Sequence, residues 1–220
     1  MPNKKFQLII LAALLVFAIV TVAVVVVNNN QSNETVHDDQ PSIEGQPTIG
    51  EADAPVQIVE FGDFKCPSCK AWEEVIFPQL ENDYLDNGDV SYSFINVLFH
   101  GEESKIGSLA AESVLEHDPE SYWTFHKKMF EEQPAQNHDS LWITHDKMAE
   151  IAEETTSMNV SQLMSDLEQE TMAEQVNQDM DLVEEFDVQF TPSIMVNGTM
   201  MEDPFDYEAL KALIDQELEG

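Results

Sequence analysis

The chain has 220 residues, enough for one domain or two small ones, and carries 43 Asp and Glu against nine Lys and no Arg, a formal net charge of −34. So acidic a surface excludes nucleic acid and anionic lipid headgroups as partners, because like charges repel. The chain also repels itself, and only salt relieves this, with the Debye length falling to ~3 Å at 1 M. The composition therefore points to a halophilic or haloalkaliphilic setting, with an ordinary acidic protein as the alternative.

Phe6 to Val27 is apolar except for Gln7 and Thr21. It reaches the ~20 residues that a helix needs to cross a bilayer. A cleavable signal peptide carries a shorter apolar run and a small-x-small site, whereas here valines lead straight into Asn28-Asn29-Asn30. Residues 1–27 are expected to be an uncleaved anchor, with a cleaved signal as the alternative. Lys4 and Lys5 precede the span, so everything after Val27 is expected outside the cell membrane, on a single-pass protein. Disulfides persist in that compartment. Residues 28–47 are polar and close on Pro-containing segments, and read as a flexible tether.

The folded unit is expected over 48–220. Pro55 to Phe61 suits a buried strand, and Gly62-Asp63-Phe64-Lys65 forms a turn. A helix opens at Cys66 with Pro67 at its first position, where a missing N–H costs nothing. Trp72, Val75, Ile76 and Leu80 give it an apolar stripe, and Pro78 should kink it. Asp86-Asn87-Gly88-Asp89 is a turn, and Val90 to Phe99 is a second strand. The acidic stretch Asp83–Asp89 lacks the ligand order of a calcium loop.

A helical block follows, approximately 102–187. Its apolar faces run through Ile106, Leu109 and Val114, then Tyr122, Phe125, His126 and Met129. Thr144 caps a helix carrying Met148 and Ile151, and the pattern continues through Leu163, Leu167, Val176 and Val183. Its methionines suit core filling, with an adaptable peptide-binding surface as the alternative. Ser193 to Val196 is a strand, Asn197-Gly198 a hairpin turn, and Asp206 caps a final helix with Leu210, Leu213 and Ile214 inward. Strand–helix–strand followed by a hairpin implies a mixed α/β sheet with helices on its faces and an all-helical insertion.

The two cysteines stand three apart, in Cys66-Pro67-Ser68-Cys69. A structural disulfide across two residues closes too small a loop to stabilise much. A zinc site needs further Cys or His ligands at short spacing, and the six histidines offer none, so no metal site is expected. A redox pair accounts for both spacing and place. At a helix start the first sulfur lies over unpaired N–H groups and the positive end of the dipole, which stabilise its thiolate. Cys66 is then the accessible nucleophile, and Cys69, one turn in, the resolving thiol. Lys65 and Lys70 flank the motif and add local positive charge, and Pro67 and Ser68, between the sulfurs, tune the thiolate.

Three ordered segments carry a resemblance: Val59-Glu60-Phe61-Gly62-Asp63-Phe64-Lys65-Cys66-Pro67-Ser68-Cys69, then Phe190-Thr191-Pro192-Ser193, then Val196-Asn197-Gly198. Together they resemble the DsbA-like dithiol oxidoreductases of the thioredoxin superfamily, most of all the membrane-anchored, extracytoplasmic Gram-positive members. The resemblance implies a thioredoxin-like fold with a helical insertion, which accounts for Pro192 standing 123 positions after Cys69. It implies that Pro192 is cis, against a trans turn proline, and that Thr191 offers backbone to a substrate strand. It makes Glu60 a buried acid beneath the disulfide that relays the proton of Cys69, against a solvent-facing strand residue. Ser68 stands where the family has a histidine.

The activity implied is disulfide donation to secreted or surface proteins, with no cofactor beyond the cysteine pair. Re-oxidation would fall to a quinone-linked membrane protein, by analogy. A reductase or isomerase of the same fold, or a non-enzymatic metal-carrying or chaperone module, is the alternative.

Overall fold

A computed structural model describes residues 35–219 other than 38, 52, 86 and 87. The expected membrane anchor and the Asp86-Asn87 part of the predicted turn lie outside the described residues. Among the described residues no helix is long and apolar enough to cross a membrane. In chain order the elements are strands β1 (Thr35–Val36), β2 (Thr48–Ile49) and β3 (Val56–Gly62), helices α1 (Pro67–Val75) and α2 (Phe77–Asp83), and strand β4 (Val90–Asn96). Helices α3 (Glu102–His117), α4 (Tyr122–Glu132), α5 (His145–Thr155), α6 (Val160–Gln169) and α7 (Ala173–Glu185) form the insertion. Strands β5 (Ser193–Val196) and β6 (Thr199–Met200) and helix α8 (Tyr207–Glu219) complete the fold.

The strands make one mixed sheet in the order β1-β6-β5-β3-β4-β2. β3 and β4 are parallel, joined through α1 and α2, while β5 runs antiparallel to β3 and turns back into β6. The hairpin turn is Asn197-Gly198, both at positive φ (44° and 84°), the backbone that Asn-Gly adopts readily. β3 and β4 are buried along their whole length, as expected of central strands covered on both faces. Side chains alternate between the faces. Val56 and Ile58 pack with Trp72, Ile76, Leu80 and α8, whereas Val59 and Phe61 pack with Val183, Phe186 and Val188. By the same alternation Glu60 points with Val56 and Ile58, towards α1.

Two expectations are corrected. Of the segment 28–47, read as a flexible tether, residues 28–34 and 38 lie outside the described residues, while Thr35–Val36 form a strand of the sheet. β1 pairs with β6, the His37 amide donates to the Gly198 carbonyl, and Gln40 bonds Gln57. Its composition is that of a linker, but its backbone covers a sheet edge, which a reading of side chains does not see. Pro78 does more than kink the helix: the chain breaks at Ile76 and restarts as α2 with Pro78 in its first turn. Thr144 caps α5 through the Lys147 amide, and Asp206 caps α8 through the Ala209 amide. Met129 and Met148 are fully buried among the insertion helices, the core-filling role.

The insertion packs on the sheet through Phe64, Phe94, Leu109, Tyr122, Phe125, Met129 and Phe130. A buried polar knot joins it to β4. Asn96 Nδ2 donates to Glu112 on α3 and Asp179 on α7, each at 2.8 Å, and Gln46 Nε2 donates to Asp179 at 2.6 Å. Gly62 ends β3 where no other residue fits. A Cβ there would stand 2.2 Å from Cε2 of Phe94 and 2.9 Å from Oε1 of Glu60. Gly62→Ala should lower stability by about 1–3 kcal/mol, the usual cost of overpacking, read as a lower urea midpoint at unchanged slope.

Candidate active site

The reacting pair is set where β3 ends and α1 begins. The Gly62 carbonyl is held by the Val97 amide at 2.8 Å. The chain then turns on Asp63. Its carbonyl accepts the Cys66 amide at 2.9 Å, and its Oδ1 accepts the Lys65 amide at 2.8 Å, closing an Asx turn. Asp63 Oδ2 is held in turn by Ser104 Oγ at 2.9 Å, by the His100 imidazole at 2.7 Å and by the His100 amide. This buried carboxylate ties the active-site turn to the start of α3.

Cys66 is the N-cap of α1, and Pro67 follows in the first turn. Both cysteines are free thiols. Cys66 keeps 6% of its surface and Cys69 none, so the expected order of accessibility holds, though Cys66 is itself largely covered. Their acidities are driven apart. Cys66 is lowered to about 5, first by a hydrogen bond from the Cys69 thiol, against the opposing effect of burial. The Thr191 side chain and the Ser68 and Cys69 amides lower it further. No side-chain capping hydrogen bond of ordinary geometry closes at Cys66, so these amides act as a field of partial positive charge. The Thr191 carbonyl, 3.4 Å from Sγ, accepts only from the protonated thiol and works the other way.

Cys69 is pushed well above an ordinary thiol by burial, and further by its bond to Cys66 and by the nearby charges of Glu60 and Cys66. Only the Asp63 amide, 3.4 Å from its sulfur, works in the opposite sense. One sulfur is therefore an anion at neutral pH and its neighbour a neutral donor.

The peptide bond Thr191–Pro192 is cis, and the Thr191 carbonyl faces Cys66. Glu60 is buried rather than facing solvent. Burial raises its carboxyl well above the usual range, and a hydrogen bond from Tyr92 at 2.6 Å partly offsets this. Ser68 is exposed and Pro67 half-buried.

Lys65 and Lys70 do not serve as expected. Lys65 is buried, paired with Glu103 at 2.7 Å and bonded to the Ser140 carbonyl. Glu103 also accepts the Trp142 and Ile143 amides. Lys70 donates to the carbonyls of Glu131 and Gln133 at the end of α4. These cations fasten the motif to the insertion. Gln133 completes the grip, its amide donating to the carbonyls of Phe64 at 3.0 Å and Cys66 at 3.1 Å. Sequence reasoning missed Asp63, Tyr92, His100, Ser104, Glu103 and Gln133. The Asp63-x-Lys65 spacing of an Asx turn was the one local signal available; the others act from 32 to 69 positions away.

Titrating the ultraviolet absorbance of the thiolate in the reduced protein should give a midpoint of about 5 for Cys66. Cys69→Ala removes the leading cause and should raise that midpoint by more than any single backbone contribution. A depressed thiol stabilises the fold above its unfolded value and loses that contribution as pH falls through its folded one. The reduced protein should accordingly lose stability relative to the oxidised form as pH drops from about 9 to about 5, with the loss complete below that.

Residues 42–216 match the family described as Thioredoxin. Disulfide bond formation protein D of Bacillus subtilis (strain 168) is 45% identical over 190 residues, covering 86% of this chain and 84% of that one. The crystal structure of oxidised BdbD from Bacillus subtilis superposes with a TM-score of 0.81 at 44% identity, over 84% of this chain and 99% of that one. Chlamydia trachomatis DsbA, at 21% identity and a TM-score of 0.71, shares the fold over 84% of this chain and 97% of its own. The chain belongs to the thioredoxin family, in its DsbA-like branch.

Proposed function

We propose that this dithiol:disulfide oxidoreductase works outside the cell membrane as a disulfide donor to reduced secreted or surface proteins. The observation that carries the reading is the placement of Cys66 at the open start of α1 with Cys69 fully buried one turn in, which drives their acidities apart. A thiolate stabilised in the reduced protein makes the corresponding disulfide a stronger oxidant. The relative's name, disulfide bond formation protein, points the same way.

In the forward reaction a substrate thiolate attacks Cys66 of the Cys66–Cys69 disulfide. A mixed disulfide forms at Cys66, and Cys69 leaves as a thiolate, which takes a proton from Glu60. A second substrate thiolate attacks the substrate sulfur of the mixed disulfide, closing the substrate's own bond and releasing Cys66 as the stabilised anion. Two electrons pass from substrate to enzyme. The Thr191 backbone, beside cis-Pro192, pairs with the substrate strand while its cysteine reacts. Phe190, half exposed next to it, gives an unfolded client an apolar contact. The chemistry needs only the cysteine pair.

Residues 1–27 hold the protein to the membrane, where tethering raises the effective concentration of a quinone-linked re-oxidase. The acidic surface suits a saline medium. Lys65, Lys70, Lys105, Lys128, Lys147 and Lys211 each lie within ion-pair distance of a carboxylate, so salt is left to screen the excess acid.

Measured against glutathione, the reduction potential should lie above that of thioredoxin, ~−270 mV; a value at or below it would make the protein a reductase. Cys69→Ser should accumulate covalent complexes with client proteins through Cys66, resolved by added dithiol. Thermal unfolding of the soluble part should shift to higher temperature between low and molar salt, and an unchanged midpoint would remove the saline reading.

A further inference from the structure

The sheet face that looks at α1 carries one hydroxyl aimed at one carboxyl. Tyr92 Oη donates to Glu60 Oε2 at 2.6 Å, and both side chains are buried. The two are not cross-strand partners. Tyr92 stands opposite Ile58, and Glu60 opposite Phe94, so the bond runs diagonally between β4 and β3. The Tyr92 ring is boxed by aromatics from three helices. Trp72 of α1 stacks on it at 5.9 Å and 11°, Phe77 of α2 lies at 5.0 Å, and Trp123 of α4 at 5.6 Å. In such a box a phenylalanine would pack as well and would not carry a hydroxyl to be desolvated. The oxygen has one partner to justify it. Glu60 in turn divides its oxygens. Oε2 goes to Tyr92, while Oε1 lies against Gly62, next to the Asp63 amide that reaches the Cys69 sulfur.

We propose that Tyr92 is a positioning residue for the proton step: it holds the Glu60 carboxyl towards Cys69 and sets the pH range in which acid and thiol exchange a proton. The inference rests on Glu60 being the proton partner of Cys69, as proposed above.

When Cys69 attacks a mixed disulfide at Cys66, its thiol gives its proton to the Glu60 carboxylate. The new sulfur–sulfur bond forms and the substrate leaves as a thiolate. In the donor direction the protonated Glu60 returns that proton to the departing Cys69. Burial keeps the Tyr92 hydroxyl protonated well beyond the ordinary range, so it remains a donor throughout. A donor at Oε2 favours the carboxylate over the acid and brings a deeply buried group back towards the pH at which it works. The other titratable groups facing Glu60 are Cys66, Cys69 and Glu73 from the motif and its helix, and Tyr122 from α4. Glu73 is of like charge and opposes ionisation. Among the described residues Tyr92 is the neighbour that favours it.

The test follows the rate at which Cys69 releases a chromophoric thiol from a Cys66 mixed disulfide, against pH, in the full chain, Y92F and E60Q. Wild type should show a limb that E60Q abolishes. Y92F should move that limb upward by about one pH unit, making the step about tenfold slower below it, while the Cys66 titration stays in place. A Y92F rate lowered equally at every pH, or unchanged, overturns the role of Tyr92. A limb that survives in E60Q overturns the Glu60 reading itself. Should Y92F not fold, infrared difference spectra between the oxidised and reduced wild type decide the matter. The acid carbonyl band missing from E60Q should lie at the position of a hydrogen-bonded carboxyl, and a band at the unbonded position overturns the proposal.

Discussion

The opposed acidity of the two cysteine sulfurs is the condition that the rest of the site is arranged to keep. A neutral thiol supports a neighbouring thiolate best when only one of the two carries charge. Two chemically identical groups must therefore be given opposite environments across a single helical turn. Cys66 sits at the open end of α1, among amides. Cys69 lies inside the protein, beneath it, where an anion is costly. The net charge of −34 has little bearing on this. The groups that decide it touch the sulfur, and the acidic surface is remote and screened.

That asymmetry depends on a turn that does not move, and the turn is gripped from two sides. β3 and β4 fix Gly62, whose missing side chain leaves room for Phe94 and Glu60 together. The insertion supplies the second grip, through Gln133 and Lys70 at one end of α4 and through His100, Ser104 and Glu103 around the start of α3. The helical block therefore orients the motif as well as flanking it. A cation that looked electrostatic in the sequence, Lys65, is a structural pin.

What was legible in the sequence was whatever is written locally. The Cys-x-x-Cys spacing behind a β-branched strand, Pro67 at a helix start, Asn197-Gly198 in a hairpin and the caps at Thr144 and Asp206 each carry their cause within a few residues. Glu60 was legible only through resemblance, since its inward direction depends on which face of β3 meets α1. The grip of Gln133 and the hydroxyl of Tyr92 were illegible, because their partners are brought near only by the finished fold. Thr35–Val36 failed for another reason. Such an edge strand is chosen by the unpaired backbone beside it, and a polar sequence neither announces nor forbids that.

Beyond β4 the sheet ends in a strand of only two residues, β2. Long, flat borders recruit other extended chains. A catalyst that spends its working life among unfolded polypeptides meets such chains constantly, at high local concentration. With that margin so short, a client has little backbone to add to there, and the catalyst is spared becoming a template for the chains it oxidises.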